Sequence, residues 1–220
     1  MKRLSPVDQV FLWLEKRQQP MHVGGLQLFR FPEDAGDDYV AELADQLRTQ
    51  TNVTPPFSYK LTSKFGQPAW TEDKELDLEH HFRFEALPTP GRIRELLALV
   101  SAEHSHLMDR QRPLWEFHLV EGFGERQFAA YTKVHHSLVD GVSAMRLFQK
   151  MLTSDREKRD MPAIWAMPPS KKRSRGDKEG PSLWNNVAHM LGESGKQLGT
   201  LPAVSKALLQ AFVLIVIILM

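Results

Sequence analysis

The sequence contains no cysteine, and this absence excludes several kinds of site. Without a thiol, the chain has no disulfide, no thiolate metal ligand and no cysteine nucleophile. It also lacks an excess of charge of one sign, since 28 Lys and Arg residues balance 27 Asp and Glu residues. Proteins that bind nucleic acid usually carry a basic field. We therefore predict that nucleic acid is not a partner.

Long apolar runs are also missing. The longest apolar run is residues 211–220, whose ten residues fall short of the roughly 20 needed to span a bilayer as a helix. Near the N-terminus, Asp8 and Glu15 interrupt what would have to be the uncharged core of a signal peptide. These features predict a cytoplasmic protein.

Three common catalytic fingerprints are absent. The chain has neither the glycine-rich phosphate loop nor the dinucleotide-binding glycine motif, so nucleotide-triphosphate and redox-cofactor chemistry are not expected. Residues 141–145 (Gly-Val-Ser-Ala-Met) lack the last glycine of the nucleophile elbow of serine hydrolases, and Ser143 is better interpreted as a residue on a helix face. We expect no bound cofactor.

What is present is a mixture of helical and strand patterns within an ordinary globular composition. Ser5-Pro6-Val7-Asp8 predicts a helix start, and Val7, Val10, Phe11 and Leu14 would share a core-facing side of that helix. Residues 22–31 predict a strand interrupted at Gly24-Gly25. Further helices are predicted at 38–48 and 92–106, and short strands between 57 and 87.

The most informative segment follows. Alternation of Trp115, Phe117 and Leu119 predicts a strand, a turn follows at 122–126, and a second strand runs over 127–135. Apolar residues at helical spacing between Ala144 and Leu152 then predict a helix on the same sheet. We expect an N-terminal domain over 1–160, a basic linker over 161–181, and a helical and apolar segment over 182–220 that leads to an absent second domain.

The strand and helix are joined by residues 135–141 (His-His-Ser-Leu-Val-Asp-Gly). Four positions of this motif are fixed: the two histidines, the aspartate and the glycine. If each residue type has a frequency of roughly 5%, a chain of this length contains the motif by chance on the order of once in a thousand sequences. If the strand persists, His135 and His136 point in opposite directions. A neutral imidazole can accept a proton from an attacking hydroxyl, and His136 is the candidate for that base. Asp140 and Gly141 are interpreted as supports of the turn.

Two other interpretations of these residues remain open. The histidines could be ordinary polar residues at a strand end, with Asp140-Gly141 a plain turn. A metal site from His135, His136 and Asp140 is conceivable, but adjacent histidines on opposite strand faces chelate one ion poorly, so no metal is predicted.

Four further segments carry a resemblance to a known family. Residues 4–15 contain Leu-Ser-Pro-Val-Asp and then Phe11, Leu12 and Glu15; residues 20–24 are Pro-Met-His-Val-Gly; residues 113–115 are Pro-Leu-Trp. Together with the histidine motif, these segments resemble the bacterial wax ester synthase/diacylglycerol acyltransferase family over about residues 4–205. The histidine motif alone is shared with condensation domains and chloramphenicol acetyltransferase-like enzymes.

The resemblance implies a fold, an activity and a role for each motif residue. The fold would be the mixed α/β (α+β) domain of chloramphenicol acetyltransferase-like, coenzyme A-dependent acyltransferases, a mixed sheet with flanking helices. The activity would be transfer of a fatty acyl group from acyl-CoA, the co-substrate, to diacylglycerol or a long-chain alcohol. His136 would be the general base, His135 a supporting residue, Asp140 an orienting residue and Gly141 a turn residue. A peripheral position on membranes or lipid droplets is expected.

The chain departs from the family in its length, because members are about twice as long. The expected second domain, which forms much of the active-site channel, is missing, so this would be a truncated form. Two alternatives stay open: a condensation-type acyltransferase that uses carrier-protein thioesters, or a non-catalytic remnant that binds lipid surfaces.

Overall fold

The computed structural model describes residues 2–139, 141–155, 158, 161–168 and 215–218. The helices are α1 (Pro6–Leu14), α2 (Tyr39–Arg48), α3 (Leu78–His81), α4 (Ile93–Ser105) and α5 (Gly141–Met151), with a short 3₁₀ turn at Ile164–Ala166. The strands are β1 (Lys2–Arg3), β2 (His22–Arg30), β3 (Tyr59–Lys64), β4 (Gln67–Glu72), β5 (Phe82–Ala86), β6 (Trp115–Phe123), β7 (Gln127–His135) and β8 (Ile215–Ile218).

The main sheet has the strand order β5-β6-β7-β2-β8 and is mixed. Strands β6, β7 and β2 are antiparallel neighbours, whereas β5 is parallel to β6 and β8 is parallel to β2. The predicted mixed sheet is therefore confirmed. Of the segment 182–220, only β8 lies within the described residues.

The alternation of β6 divides the core between the two faces of this sheet. Trp115, Phe117 and Leu119 belong to the larger cluster, where residues of α2 and α5 also pack. On the other face, Val120 packs in a second cluster with Leu96 and Val100 of α4. Both faces of the sheet are thus covered by helices, and the period-2 pattern in the sequence correctly predicts this division.

The expected interruption of the strand at Gly24-Gly25 is wrong, because β2 runs unbroken from His22 to Arg30. The glycines are needed for packing. A Cβ atom at position 24 would lie 2.8 Å from the ring of Tyr131, and one at position 25 would lie 2.9 Å from the ring of Phe148. Small residues here let those aromatic rings approach the strand backbone.

Helix α1 begins as predicted but packs differently. Ser5 Oγ accepts from the amide of Asp8 and Asp8 Oδ2 accepts from the amide of Ser5, which is a capping box with Pro6 at the first helical position. The predicted core face is wrong, since Val7, Val10 and Leu14 are exposed and Leu12 is the buried residue. Helical spacing identifies a shared face but cannot say whether that face is covered.

The side of α1 that is buried packs against a separate small sheet. Strands β1, β4 and β3 form this sheet in that order. Leu4 and Leu12 meet Trp70 of β4, along with Met108 and Leu114 from the segment before β6. This cluster fixes α1 beside the start of β6.

The core extends several residues beyond the expected domain boundary at 160. Ala163, Ile164 and Trp165 are buried in the larger cluster, and Thr54 Oγ1 donates to the carbonyl of Met167. The first compact unit includes residues 1–168. Most of the predicted basic linker lies outside the described residues. Among the helices that are described, none has the length and apolarity required to cross a bilayer.

Candidate active site

The histidine motif lies where β7 ends and the chain turns toward α5. Two neighbouring segments hold this strand end through the backbone. The amide of His135 donates to the carbonyl of Leu114 (3.0 Å), and the amide of His136 donates to the carbonyl of Met21 (2.9 Å). The amides of Leu138 and Val139 then both donate to the carbonyl of His135, which closes the turn. Gly141 is the first residue of α5, and Asp140 lies outside the described residues.

Both ring nitrogens of His135 are engaged. The amide of Ser137 donates to Nδ1 at 3.0 Å, and Ser137 Oγ lies 2.7 Å from the same nitrogen. A backbone amide only donates, so Nδ1 carries the lone pair and the ring proton is on Nε2. Nε2 lies 3.2 Å from Glu15 Oε1, close enough for attraction between the N–H and the carboxylate, although the two are not aligned as a hydrogen bond. The His135 ring is therefore fixed between the turn and the end of α1.

Glu15 is the residue that connects these segments. Its side chain is almost fully buried: Oε1 accepts from the amide of Met21, and Oε2 lies 2.9 Å from Nη2 of Arg110. Burial alone would raise the pKa of this carboxyl, but the contacts with His135, Arg110 and the Met21 amide lower the pKa to about 2. Glu15 is thus a carboxylate at every pH at which the protein is expected to work.

His136 lies on the other side of the turn, against α1. It is 6% exposed, and its ring stacks on that of Phe11 with centroids 4.0 Å apart and 24° between the planes. Phe11 and Glu15 are four residues apart and so lie on one side of α1, the side that meets both histidines. This helix therefore contacts each of the two histidines through a different side chain.

The Pro-Leu-Trp segment supports the site from beneath. Trp115 is fully buried, its Nε1 donates to the carbonyl of Phe57, and its ring stacks on His81 at 4.5 Å. Nδ1 of His81 in turn lies 2.8 Å from the carbonyl of Trp115. Leu114, one residue earlier, provides the carbonyl that holds His135. The anchored tryptophan thereby fixes the position of that carbonyl.

A buried polar chain lies next to His135 on the α4 side of the sheet. His22 is the cross-strand neighbour of His135, and its Nε2 lies 2.6 Å from the carbonyl of His104, whose Nδ1 lies 2.6 Å from the Tyr131 hydroxyl. Burial lowers the pKa of His22 to about 4 and also lowers that of His104. Both rings are therefore neutral at pH 7.

An ion cluster continues this polar region. Lys133 is fully buried and donates to Glu116 Oε2 at 3.0 Å and to the carbonyl of Glu103 at 2.9 Å. His118 lies between Glu116 (3.5 Å) and Glu85 (3.4 Å). Burial disfavours the charged forms of both His118 and Glu116. The contacts between charged groups outweigh this effect, so they raise the pKa of His118 and lower the pKa of Glu116 to about 2.

One group in the described part of the chain has spacing suitable for a metal ion: Glu103, Glu116 and His118. The Lys133 ammonium already provides a positive charge beside Glu116, so an ion cluster is sufficient to account for this grouping. The predicted absence of a metal remains a prediction.

Four residues contribute to the site although the sequence predicts no role for them there: Phe11, Glu15, Arg110 and Ser137. Phe11 and Glu15 belong to the segment 4–15 that carries the family resemblance, and that resemblance is the signal that marks them. Arg110 had none, since it is one of two arginines in an irregular segment and lies 95 residues away from Glu15.

Replacement of Glu15 by glutamine tests the linkage between this carboxylate and the fold. The pKa is about 2 in the folded state against an ordinary value of 4.5, so the charge is expected to contribute about 3 kcal/mol to the free energy of unfolding. A lowered pKa stabilises the fold above the unfolded-state value, and this contribution is lost as the pH falls from 4.5 toward 2.

The free energies of unfolding of wild type and Glu15→Gln, measured with urea, should therefore differ most at neutral pH and become similar in acid. Glu125→Gln, an exposed residue in the β6–β7 turn, is the matched control and should change little. If the difference in free energy of unfolding between Glu15→Gln and wild type did not vary with pH, it would contradict the lowered pKa assigned to Glu15.

Comparison with known proteins places the chain in a family. Residues 4–215 match the family model described as the wax ester synthase/diacylglycerol acyltransferase catalytic domain. The chain is 44% identical over 212 residues to the O-acyltransferase WSD of Acinetobacter baylyi, covering 96% of this chain and 44% of that protein.

Two solved structures agree in fold. The wax ester synthase/diacylglycerol acyltransferase of Marinobacter aquaeolei VT8 is 61% identical, with a TM-score of 0.76 over 89% of this chain and 47% of that one. The first condensation domain of the calcium-dependent antibiotic synthetase is 17% identical, with a TM-score of 0.53 over 74% of this chain and 39% of that one, which supports the fold alone.

The chain spans about half the length of the relatives that it matches. Its mixed sheet with flanking helices is that of chloramphenicol acetyltransferase-like acyltransferases, as predicted. The match covers all the segments that surround the two histidines. The chain belongs to the wax ester synthase/diacylglycerol acyltransferase family.

Proposed function

We propose that this chain provides the general base of an O-acyltransferase that moves a fatty acyl group from acyl-CoA to diacylglycerol or a long-chain alcohol. One observation carries the proposal: two segments that are distant in sequence, residues 11–21 and 110–114, converge on the strand end at His135 and His136. They contribute Phe11 and Glu15 from α1, the Met21 carbonyl, the Leu114 carbonyl and Arg110. A strand end with no function does not require this set of contacts.

His136 is the base in this proposal, and His135 is its support. A general base needs a nitrogen lone pair that can reach the acceptor hydroxyl. The lone pair of His135 lies on Nδ1 and is used by Ser137, while its Nε2 faces Glu15. His135 therefore holds the turn, and we assign the proton transfer to the adjacent imidazole of His136. Asp140 and Gly141 keep their proposed roles as orienting and turn residues.

The reaction balances without a covalent enzyme intermediate or a bound cofactor. His136 accepts the proton of the acceptor hydroxyl as its oxygen attacks the thioester carbonyl carbon. The tetrahedral intermediate collapses, the carbon–sulfur bond breaks and the ester forms. The thiolate of coenzyme A then takes the proton from His136 and leaves as the thiol.

Acyl-CoA and the lipid acceptor are the proposed small-molecule partners, and a membrane or lipid-droplet surface is the proposed location. Diacylglycerol and long-chain alcohols are poorly soluble in water, so an enzyme that uses them must meet them at an interface. The names of the relatives, an O-acyltransferase and a probable diacylglycerol O-acyltransferase, support the substrate class.

The test is to join residues 1–205 to the second half of the Marinobacter aquaeolei protein and to supply palmitoyl coenzyme A with hexadecanol or diacylglycerol. We expect coenzyme A release together with wax ester or triacylglycerol, identified by chromatography. A folded, monodisperse fusion that forms neither ester would overturn the proposal. Transfer only from a carrier-protein thioester would favour the condensation-type alternative instead.

A further inference from the structure

Helix α1 presents an exposed side that is entirely apolar. Val7, Val10, Trp13 and Leu14 are 44%, 41%, 68% and 49% exposed. At 100° per residue these four positions fall within an arc of about 120°. Such an arc on a helix in water is ordinarily polar, because amphipathic helices turn their apolar side to the core.

Among residues 2–17, the exposed charges are of one sign. Lys2 and Arg3 precede the helix and Lys16 and Arg17 follow it, and all four are exposed. The two acids between residues 2 and 17 are already engaged, since Asp8 closes the capping box and the buried Glu15 pairs with Arg110. In this stretch of the chain, cations therefore flank the apolar arc at both ends, and neither of its two acids is exposed.

We infer that this face of α1 docks on an anionic lipid surface. Apolar side chains that include a tryptophan, bordered by lysine and arginine, form the pattern of helices that lie in the plane of a membrane interface. The lysines and arginines at the two ends of α1 would be attracted to anionic lipid headgroups. This charge complementarity favours an anionic lipid surface over an uncharged protein surface as the occupant.

The docked helix would also deliver the acceptor. Phe11 lies at the border of the apolar arc, and its ring stacks on His136. A lipid surface against α1 therefore brings water-insoluble acceptors to within one side chain of the proposed base. This last step rests on the proposed function, whereas docking itself is measured without turnover.

The experiment is co-sedimentation of the 220-residue chain with vesicles of phosphatidylcholine, with and without phosphatidylglycerol. The double variant Val10→Gln/Trp13→Gln should weaken binding at least about tenfold, because it removes most of the inserted apolar area. Lys16→Glu/Arg17→Glu should weaken binding by a similar factor only when phosphatidylglycerol is present. The control is Phe65→Gln, which removes a 93% exposed aromatic from the β3–β4 hairpin and should bind as wild type does.

Fluorescence gives an independent reading of the same contact. The tryptophans at 70, 115 and 165 are buried, so Trp13 is the one expected to respond to lipid among those in the described residues. Vesicles should shift the emission to the blue, and Trp13→Phe should remove the shift while sedimentation persists.

Three results would overturn the inference. Wild type could fail to bind anionic vesicles; the double variant could bind as well as wild type; or Trp13 could already be shielded, without lipid, in the fusion with the second half, which would identify a protein as the occupant. His136→Ala should bind vesicles normally, so loss of acyl transfer with docking intact would count against the proposed function and not against this surface.

Discussion

The 220-residue chain purified alone should release coenzyme A from palmitoyl coenzyme A and hexadecanol at close to the uncatalysed rate. The family resemblance implies an active site in a channel between two halves, and this chain covers 47% of the Marinobacter aquaeolei protein. A base alone does not position the thioester or provide donors for the developing oxyanion. Positioning and oxyanion donors are each worth orders of magnitude in rate.

Joining the second half should therefore raise the rate of coenzyme A release by about 10³-fold or more. The matched control is the same fusion carrying His136→Ala. This control separates catalysed release of coenzyme A from uncatalysed release. Robust ester formation by the monomeric chain on its own would contradict the prediction, and would mean that the first half carries a complete site.

Lys133→Met should destabilise the chain by about 3–5 kcal/mol, since it leaves Glu116 buried without its cation. Lys133 is fully buried, and Glu116 is its cross-strand partner between β6 and β7. The contacts with His118 and Lys133 lower the pKa of Glu116 to about 2, against the opposing effect of burial. Removing Lys133 takes away part of that stabilisation of the carboxylate, so the buried charge becomes costly. His118 offers a partial substitute at 3.5 Å, which keeps the loss within this range.

The second substitution in the same pair is the decisive control. Adding Glu116→Gln removes the buried carboxylate that has lost its cation. The double variant should therefore regain a large part of the lost free energy of unfolding, measured by urea unfolding. Lys74→Met, at an exposed lysine, should change stability by less than about 0.5 kcal/mol. A single variant as stable as Lys74→Met would contradict the assignment of a buried ion pair.

The sequence predicts the main elements well where local chemistry and periodicity coincide. Ser5, Pro6 and Asp8 satisfy a capping box by themselves, so the start of α1 needs no tertiary information. The alternation at Trp115, Phe117 and Leu119 likewise requires only the geometry of a strand. The histidine motif is found for the same reason, since its residues are contiguous.

Prediction fails where the partner is distant in sequence. Val7, Val10 and Leu14 have core-like spacing, yet burial depends on what packs against the helix, and no local pattern contains that information. Gly24 and Gly25 suggest a break because the rings of Tyr131 and Phe148, which require them, are more than 100 residues away. The linkage of Glu15 to His135 spans 120 residues of chain and is not encoded locally.

The measurement that tests the central claim most directly is ester formation by the fusion carrying His136→Ala. A general base typically contributes 10²- to 10⁴-fold, so we expect turnover to fall by about that factor while the far-ultraviolet circular dichroism and thermal midpoint stay near those of the unsubstituted fusion. Loss of the imidazole removes the proton acceptor but leaves the backbone bonds to Met21 and Leu114 in place. Turnover within a few-fold of the unsubstituted fusion, in a folded His136→Ala protein, would show that the base is another residue.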